Sequence, residues 1–198
     1  CNLVAHIENL KKMSSNIVVC LNRYESDKDE EIELIRKICL DQEVEFAIST
    51  SYKDGGEGSI DLAKKVLKVM ECENKINYLY SLTDDIKSKV ASLSKNIYRA
   101  KNVEYSDLAE EKIKQLQENN ISNLPICVAK TQYSLSDDKT KLGLPTDYIL
   151  HVKDIKVYNG AGYITVLLGK ILTMPGLPPK PNYEKIDIDD DNNIIGLS

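Results

Sequence analysis

Apolar residues recur along this chain in two rhythms, short continuous runs and steps of three and four. Leu3, Ile7 and Leu10 step at helical spacing with Lys11 and Lys12 after them, so residues 2–13 are expected to be helical. Ile17-Val18-Val19-Cys20-Leu21 is a compact apolar run of the kind that forms a strand covered on both faces. The polar stretch Asn22-Arg23-Tyr24-Glu25-Ser26-Asp27 follows as a loop. Asp27 and Glu30 make a box-like helix start, and Ile32, Ile35 and Cys39 supply a buried face through Leu40. Val44-Glu45-Phe46-Ala47-Ile48-Ser49 alternates apolar and polar positions with β-branched and aromatic members, a strand signal. Ile60, Ala63, Leu67 and Met70 then share one face of a helix. Through residue 72 the order is helix, strand, helix, strand, helix. It predicts an α/β section of P-loop-type or Rossmann-like architecture, a parallel sheet wrapped by helices, over residues 1–72.

Residues 73–83 read as a linker, and residues 84–198 as a second α/β section. Ile86, Val90, Leu93 and Ile97 step by four, three and four, an amphipathic helix. Val103-Glu104-Tyr105 is a short strand candidate, Ser106 can cap a helix carrying Ala109, Ile113 and Leu116, and Asn119-Asn120 ends it. Leu124 to Ala129 is an apolar strand that delivers Lys130-Thr131-Gln132-Tyr133-Ser134 into a long loop, either a binding edge or a capped turn. Tyr148 to Tyr158 alternates like one half-exposed strand, Asn159-Gly160-Ala161-Gly162 is a turn, and Tyr163 to Leu168 is a further strand. Met174-Pro175-Gly176-Leu177-Pro178-Pro179 cannot be regular structure, since proline removes donors and fixes φ. Asp187-Ile188-Asp189-Asp190-Asp191-Asn192 opens like a calcium loop but lacks its glycine and closing glutamate, so it is expected to be a solvated acidic tail.

The chemistry concentrates where the first section turns from strand to helix. Thr50-Ser51-Tyr52-Lys53-Asp54-Gly55-Gly56-Glu57-Gly58 holds three glycines in four positions. Glycine permits positive φ and lets a bound group approach with no Cβ in the way, and the first N–H groups of a helix attract anions. Such a turn serves either a ligand or a tight reversal of the chain. It is not a phosphate loop, because Lys-Ser/Thr does not follow at the required spacing, and the G-x-G-x-x-G fingerprint is absent too. In parallel sheets ligands sit beyond the carboxyl ends of strands, where connections leave for opposite sides. The loops Asn22 to Asp27 and Thr50 to Gly58 lie at two such ends and carry one aromatic each, Tyr24 and Tyr52. These are either the walls of one flat slot or two solvent-facing tyrosines. Asn22, Arg23, Ile48, Gly55, Gly56 and Gly58 are the further candidates around them, with Lys130, Thr131 and Gln132 weaker ones.

Composition narrows the classes. The 198 residues are 42% hydrophobic and 29% charged, an ordinary soluble balance, and the net charge of −5 argues against nucleic acid or an acidic membrane as the main partner. No run approaches the roughly 18 apolar residues of a membrane span, and no signal-peptide pattern opens the chain. The five cysteines form no C-x-x-C pair, so buried free thiols in a reducing compartment, the cytoplasm or an organelle, are expected. With two histidines far apart, no histidine-centred metal site is expected. No nucleophile–base pattern can be assembled. The chain opens on Cys1 within a helical pattern, so a fragment of a longer protein is expected.

Several stretches together resemble formate–tetrahydrofolate ligase, also called formyltetrahydrofolate synthetase. They are His6-Ile7-Glu8-Asn9, Val18-Val19-Cys20-Leu21-Asn22-Arg23-Tyr24, Gly55-Gly56-Glu57-Gly58, Leu124-Pro125-Ile126-Cys127-Val128-Ala129-Lys130-Thr131-Gln132-Tyr133-Ser134, Gly160-Ala161-Gly162-Tyr163 and Thr173-Met174-Pro175-Gly176-Leu177-Pro178. The likeness runs through the whole chain in the family's order, and it implies the C-terminal portion of that enzyme. The implied activity is ATP-dependent joining of formate to tetrahydrofolate through formyl phosphate, giving 10-formyltetrahydrofolate, in a homo-oligomer helped by magnesium and a monovalent cation. The family's aromatic pair, which holds a pterin or adenine ring, matches Tyr24 and Tyr52; Phe and Trp are usual there, and Pro is common where Glu25 stands. The family's phosphate loop with its lysine belongs to an N-terminal region, and no such loop occurs in this sequence. The resemblance therefore implies a chain that binds ligand without turnover, or a non-catalytic binding or assembly module derived from the enzyme.

Overall fold

Two parallel strands set the geometry of the first third of the chain. In the computed structural model, which describes residues 1–169, 171 and 178–197, β1 (Val18–Asn22) pairs in parallel with β2 (Glu45–Ser49). The register places Val19 beside Phe46, Leu21 beside Ile48 and Asn22 beside Ser49. Alternation of side chains sends Val19, Leu21, Phe46 and Ile48 to one face. There α2 (Asp29–Asp41) buries Ile32 and Cys39 against Phe46, with Leu3 of α1 (Asn2–Lys11) packed beside them. On the other face lies α4 (Ile60–Met70), fastened by Glu45, whose carboxylate accepts from Lys68 and, at 3.1 Å, from Lys65. Those hydrogen bonds, from Lys68 above all, hold the Glu45 carboxyl below the usual carboxylate range. The expected α/β alternation is present, and its two connections pack on opposite faces.

Local details depart from the sequence expectations. The capping box forms one residue later than Asp27 and Glu30 would place it: the Lys28 backbone N–H donates to Glu31 at 3.4 Å, while Asp27 accepts from the Tyr24 N–H at 2.8 Å. Cys20 is exposed, so β1 is not covered on both faces; among the described residues its sheet has only two strands. Helix α4 turns Leu62, Lys65 and Val69 toward the sheet, leaving Ile60, Ala63, Leu67 and Met70 exposed, because both stripes are apolar and only one meets a strand. All five cysteines are free, yet only Cys39 is buried.

The glycine-rich stretch is not an open turn. A single helical turn, α3 (Ser51–Asp54), runs into a 3-10 turn over Gly55–Ser59 that leads directly to α4. Gly55 alone of the three glycines takes a left-handed conformation, at φ +59°. Gly58 is needed for a different reason: a Cβ there would lie 2.6 Å from the Thr50 carbonyl carbon and 2.7 Å from the Ser51 nitrogen. The close approach lets the Gly58 carbonyl accept from the Thr50 N–H at 3.0 Å, closing the reversal.

The rest of the described chain forms a larger core. Helices α5 (Ile86–Asn96) and α6 (Asp107–Glu118) bury Ile86, Val90, Ala109 and Ile113 against β3 (Asn102–Tyr105), β5 (Ile149–Val152) and β7 (Tyr163–Leu167). Strand β3 pairs in parallel with β5, while β7 pairs in parallel with β4 (Ile126–Ala129) and antiparallel with β6 (Asp154–Tyr158). The single strand expected over Tyr148 to Tyr158 is thus two, in different sheets. They part at Lys153, whose N–H donates to Leu167 and whose carbonyl accepts from the Ser106 hydroxyl. Ser106 caps α6 as expected, accepting from the Ala109 N–H at 3.2 Å. The acidic tail is instead a small hairpin, β8 (Asp187–Ile188) with β9 (Ile194–Ile195), its turn fastened by Asp189 accepting from the Asp191 and Asn193 N–H groups. Residues 172–177, with most of the Thr173-to-Pro178 run, lie outside the described residues. Asn9 of α1 donates to the Ile97 carbonyl at 3.1 Å and Arg99 pairs with Glu8 at 2.8 Å, linking the two cores. No described helix is long and apolar enough to cross a membrane.

Three substitutions test this scaffold. Asp85 caps α5 by accepting from the Ser88 hydroxyl at 2.6 Å and its N–H at 2.9 Å, which holds its carboxyl below the ordinary 3.8. A depressed folded value means the cap contributes fully above the unfolded value and is lost as pH falls through the folded one. Asp85→Ala is expected to cost about 1 kcal/mol at pH 7 in urea unfolding, with the difference from the parent vanishing in acid. Gly58→Ala is expected to cost about 1–3 kcal/mol by forcing the Thr50 backbone aside, whereas Gly56→Ala, whose Cβ would meet nothing within 4 Å, leaves the urea midpoint nearly unchanged.

Candidate functional site

At the carboxyl ends of β1 and β2 a cavity of about 1150 Å³ opens between the segments Asn22 to Ser26 and Thr50 to Asp54. It exists because the strands end level. Asn22 stands beside Ser49, and the Arg23 N–H donates to the Ser49 carbonyl at 2.9 Å, so both chains leave the sheet at one height. The first chain turns at once, held by Asp27 on the Tyr24 N–H, and the second winds into α3, where the Thr50 carbonyl accepts from the Lys53 and Asp54 N–H groups at 2.9 Å. These two tight turns carry Tyr24 and Tyr52 to the mouth, 62% and 96% exposed.

Charge around the mouth is arranged in pairs. Arg23 meets Asp29 at 2.9 Å, and Lys53 meets Glu25 at 2.9 Å across the gap between the loops. Lys53 follows Tyr52 in sequence and Glu25 follows Tyr24, so this pair ties together the two turns that carry the aromatics. Both partners are mostly exposed, so the pair's stabilisation is small, and its effect is on loop spacing. Below the mouth Ser49, buried, donates to the Ser51 hydroxyl at 3.1 Å and lies 3.4 Å from that of Ser59, keeping α3 against the strand end. The arrangement offers flat apolar faces, an amide at Asn22 and paired cations at the rim. It contains no nucleophile–base pair, so it can hold a flat polar-edged molecule but has no group placed for chemistry on it.

Asn22, Arg23, Tyr24 and Tyr52 line this cavity together. Ile48 does not: it packs in the small core beneath, paired with Leu21. Gly55, Gly56 and Gly58 do not line it either; Gly58 closes the reversal, and Gly55 and Gly56 face open space. Lys130 and Thr131 sit at the end of β4 in the other core, where the Lys130 ammonium donates to the Thr131 carbonyl at 3.0 Å and to that of Ser134. Lys130 is thus the anchor of its own loop, and burial pulls its pKa down. Sequence reasoning missed Thr50, Lys53 and Asp54 as lining residues and the Glu25–Lys53 contact. The signal was present in the opposite charges that directly follow the two tyrosines. Among the described residues no group of three or more His, Cys, Asp or Glu could hold a metal ion.

The family model described as formate–tetrahydrofolate ligase matches residues 1–198 of the chain. A formate–tetrahydrofolate ligase of Petrotoga mobilis is 47% identical over 197 residues, covering 100% of this chain and 36% of its own length. That of Bacillus licheniformis is 42% identical over 197 residues, with 99% and 35% covered, and that of Caldicellulosiruptor saccharolyticus 43% over 194 residues, with 98% and 35% covered. The chain thus spans a little over a third of the length of these relatives. A family match along its entire length, with identities far above chance, means that the chain belongs to the formate–tetrahydrofolate ligase family.

Proposed function

We propose that the chain is the C-terminal portion of a formate–tetrahydrofolate ligase and supplies that enzyme's aromatic slot. The observation that carries the reading is the convergence of Tyr24 and Tyr52 on one cavity at the ends of paired parallel strands. In the whole enzyme the reaction is the ATP-dependent formylation of tetrahydrofolate through formyl phosphate, giving 10-formyltetrahydrofolate, ADP and phosphate. In the cavity a pterin or adenine ring stacks against the tyrosine faces while Asn22 and Arg23 meet its polar edge. Phosphoryl transfer depends on positioning and on neutralising charge, by a phosphate loop with its lysine and by magnesium. The sequence holds no such loop, and the described residues hold no acidic cluster fit for magnesium or a monovalent cation, so no step is assigned to either here. The catalytic groups belong to the remainder of the enzyme, in a cytoplasmic homo-oligomer. Reading the gene on either side tests the placement: an in-frame phosphate loop upstream supports it, and one downstream overturns it.

A second reading, an assembly module retained without catalysis, draws on the uncovered apolar stripe of α4, where Ile60, Leu67 and Met70 are 49%, 62% and 69% exposed. Calorimetry separates the two. With the folded 198-residue chain, tetrahydrofolate or ATP is expected to bind, and Tyr52→Ala to weaken that binding about 5- to 150-fold, the worth of one aromatic stack. Undiminished binding in Tyr52→Ala rules out the slot, and no binding of either ligand favours the assembly role. The purified chain is expected to form no 10-formyltetrahydrofolate from formate, ATP and tetrahydrofolate, and detectable synthesis overturns the assignment of catalysis elsewhere.

A further inference from the structure

A second cleft, of about 650 Å³, lies in the larger core between α5 and the segment that leads into β3. One wall is a single helical stripe, Lys87, Ala91, Ser94 and Lys95, spaced by four, three and one. The other is the chain from Arg99 to Tyr105. Strand β3 pairs only with β5 among the described residues, so its far edge is unpaired there.

Three features set the cleft apart from a chance surface fold. Its backbone is strained: Arg99 and Asp147 both take left-handed conformations, at φ +58° and +57°, and they are joined by a hydrogen bond from the Asp147 N–H to the Arg99 carbonyl at 3.2 Å. Non-glycine residues held there store strain, and such residues gather at ligand sites. Its wall carries the one buried side-chain polar atom without a partner among the described residues, the hydroxyl of Ser94, a residue 3% exposed. Its charge is uneven. Lys87 is taken up by Glu110 at 2.6 Å and Arg99 by Glu8 at 2.8 Å, whereas Lys95 and Lys101 have no ion-pair partner among the described residues and share the cleft with one carboxylate, Asp147. Ala91, Val103 and the Tyr105 ring add apolar surface beside these cations.

We propose that this cleft binds an organic anion, a phosphate or carboxylate head on a small apolar body, with Lys95 and Lys101 receiving the head and Ala91, Val103 and Tyr105 the body. The site is separate from the tyrosine slot, shares no lining residue with it, and does not depend on what that slot holds. Charge-assisted contacts to two lysines favour the anion, and the apolar side chains of Ala91 and Val103 beside the Tyr105 ring, over which the Lys87 ammonium stands at 5.1 Å, favour an aryl or acyl group over a bare ion.

The probes are phenyl phosphate and benzoate, which carry the two heads on one body, with inorganic phosphate as the bodiless control. Titrations use the full polypeptide that carries these residues. Lysine acetylation footprinting read by mass spectrometry locates the contact, since it reports each lysine separately. Phenyl phosphate or benzoate is expected to protect Lys95 and Lys101 at least threefold while leaving Lys37 and Lys139, which line neither cavity, unchanged, and the stronger protector identifies the head. Lys95→Glu and Lys101→Glu, both at exposed positions, are each expected to weaken binding tenfold or more, and Lys139→Glu, also exposed, to leave it unaltered. Equal protection of all four lysines, equal loss in Lys139→Glu, protection by inorganic phosphate as strong as by phenyl phosphate, or no protection at millimolar probe each overturn the proposal.

Discussion

The level ending of β1 and β2 is the constraint on which the slot depends. Parallel pairing places Asn22 beside Ser49, and the Arg23 N–H to Ser49 carbonyl bond extends the ladder one step into the loop. A slip of β2 by one residue would send Phe46 and Ile48 to the face opposite Val19 and Leu21 and carry Tyr52 away from Tyr24. What forbids the slip is the small apolar cluster under α2, because Phe46 and Ile32 bury there only in the observed register. The cavity is therefore maintained from below by hydrophobic packing and from the side by the Gly58 to Thr50 closure. The Glu25–Lys53 pair at the rim adjusts what those two have already fixed.

Much of this arrangement was legible in the residues. The alternation of helical steps with short apolar runs is a strong local signal, and it gave β1, β2, α2 and the two loops because each run is bounded by polar or glycine-rich residues. The convergence of Tyr24 and Tyr52 followed from topology alone, since consecutive parallel strands end on the same side. The errors share a cause. Which stripe of α4 meets the sheet, and whether Cys20 is covered, depend on neighbours that no local pattern specifies. Leu62 and Val69 are as apolar as Leu67 and Met70, and only packing chooses between them. The break at Lys153 escaped notice for a related reason, because one alternating run can serve two sheets without a change of period. For Lys130 the sequence left a binding edge and a capped turn both open, because a cation at a strand end has two uses, and its bonds to the carbonyls of Thr131 and Ser134 are invisible to a reading of side chains.

The two cores are unequal, and the inequality bears on binding. Among the described residues the cluster around α5, α6 and β7 contains twelve buried apolar residues, and that under α2 contains three. Hydrophobic burial dominates stability, so the section that carries the slot, which outside that cluster buries of its apolar residues only Ala5, Ile7, Ile17 and Ala47, is expected to open locally at a lower free energy than the rest. Its chief ties to the larger core are polar, Asn9 to the Ile97 carbonyl and Glu8 to Arg99. Such a section gains most from a ligand that binds only its closed form, because stabilisation by mass action is added to a small starting value. The exposed tyrosines fit this balance. They contribute little to the fold that presents them, 62% and 96% exposed as they are, and under the proposed function it is this apolar area that a ring entering between the loops would bury. Under the proposed function, a ring bound in the slot would add to a core that is small on its own.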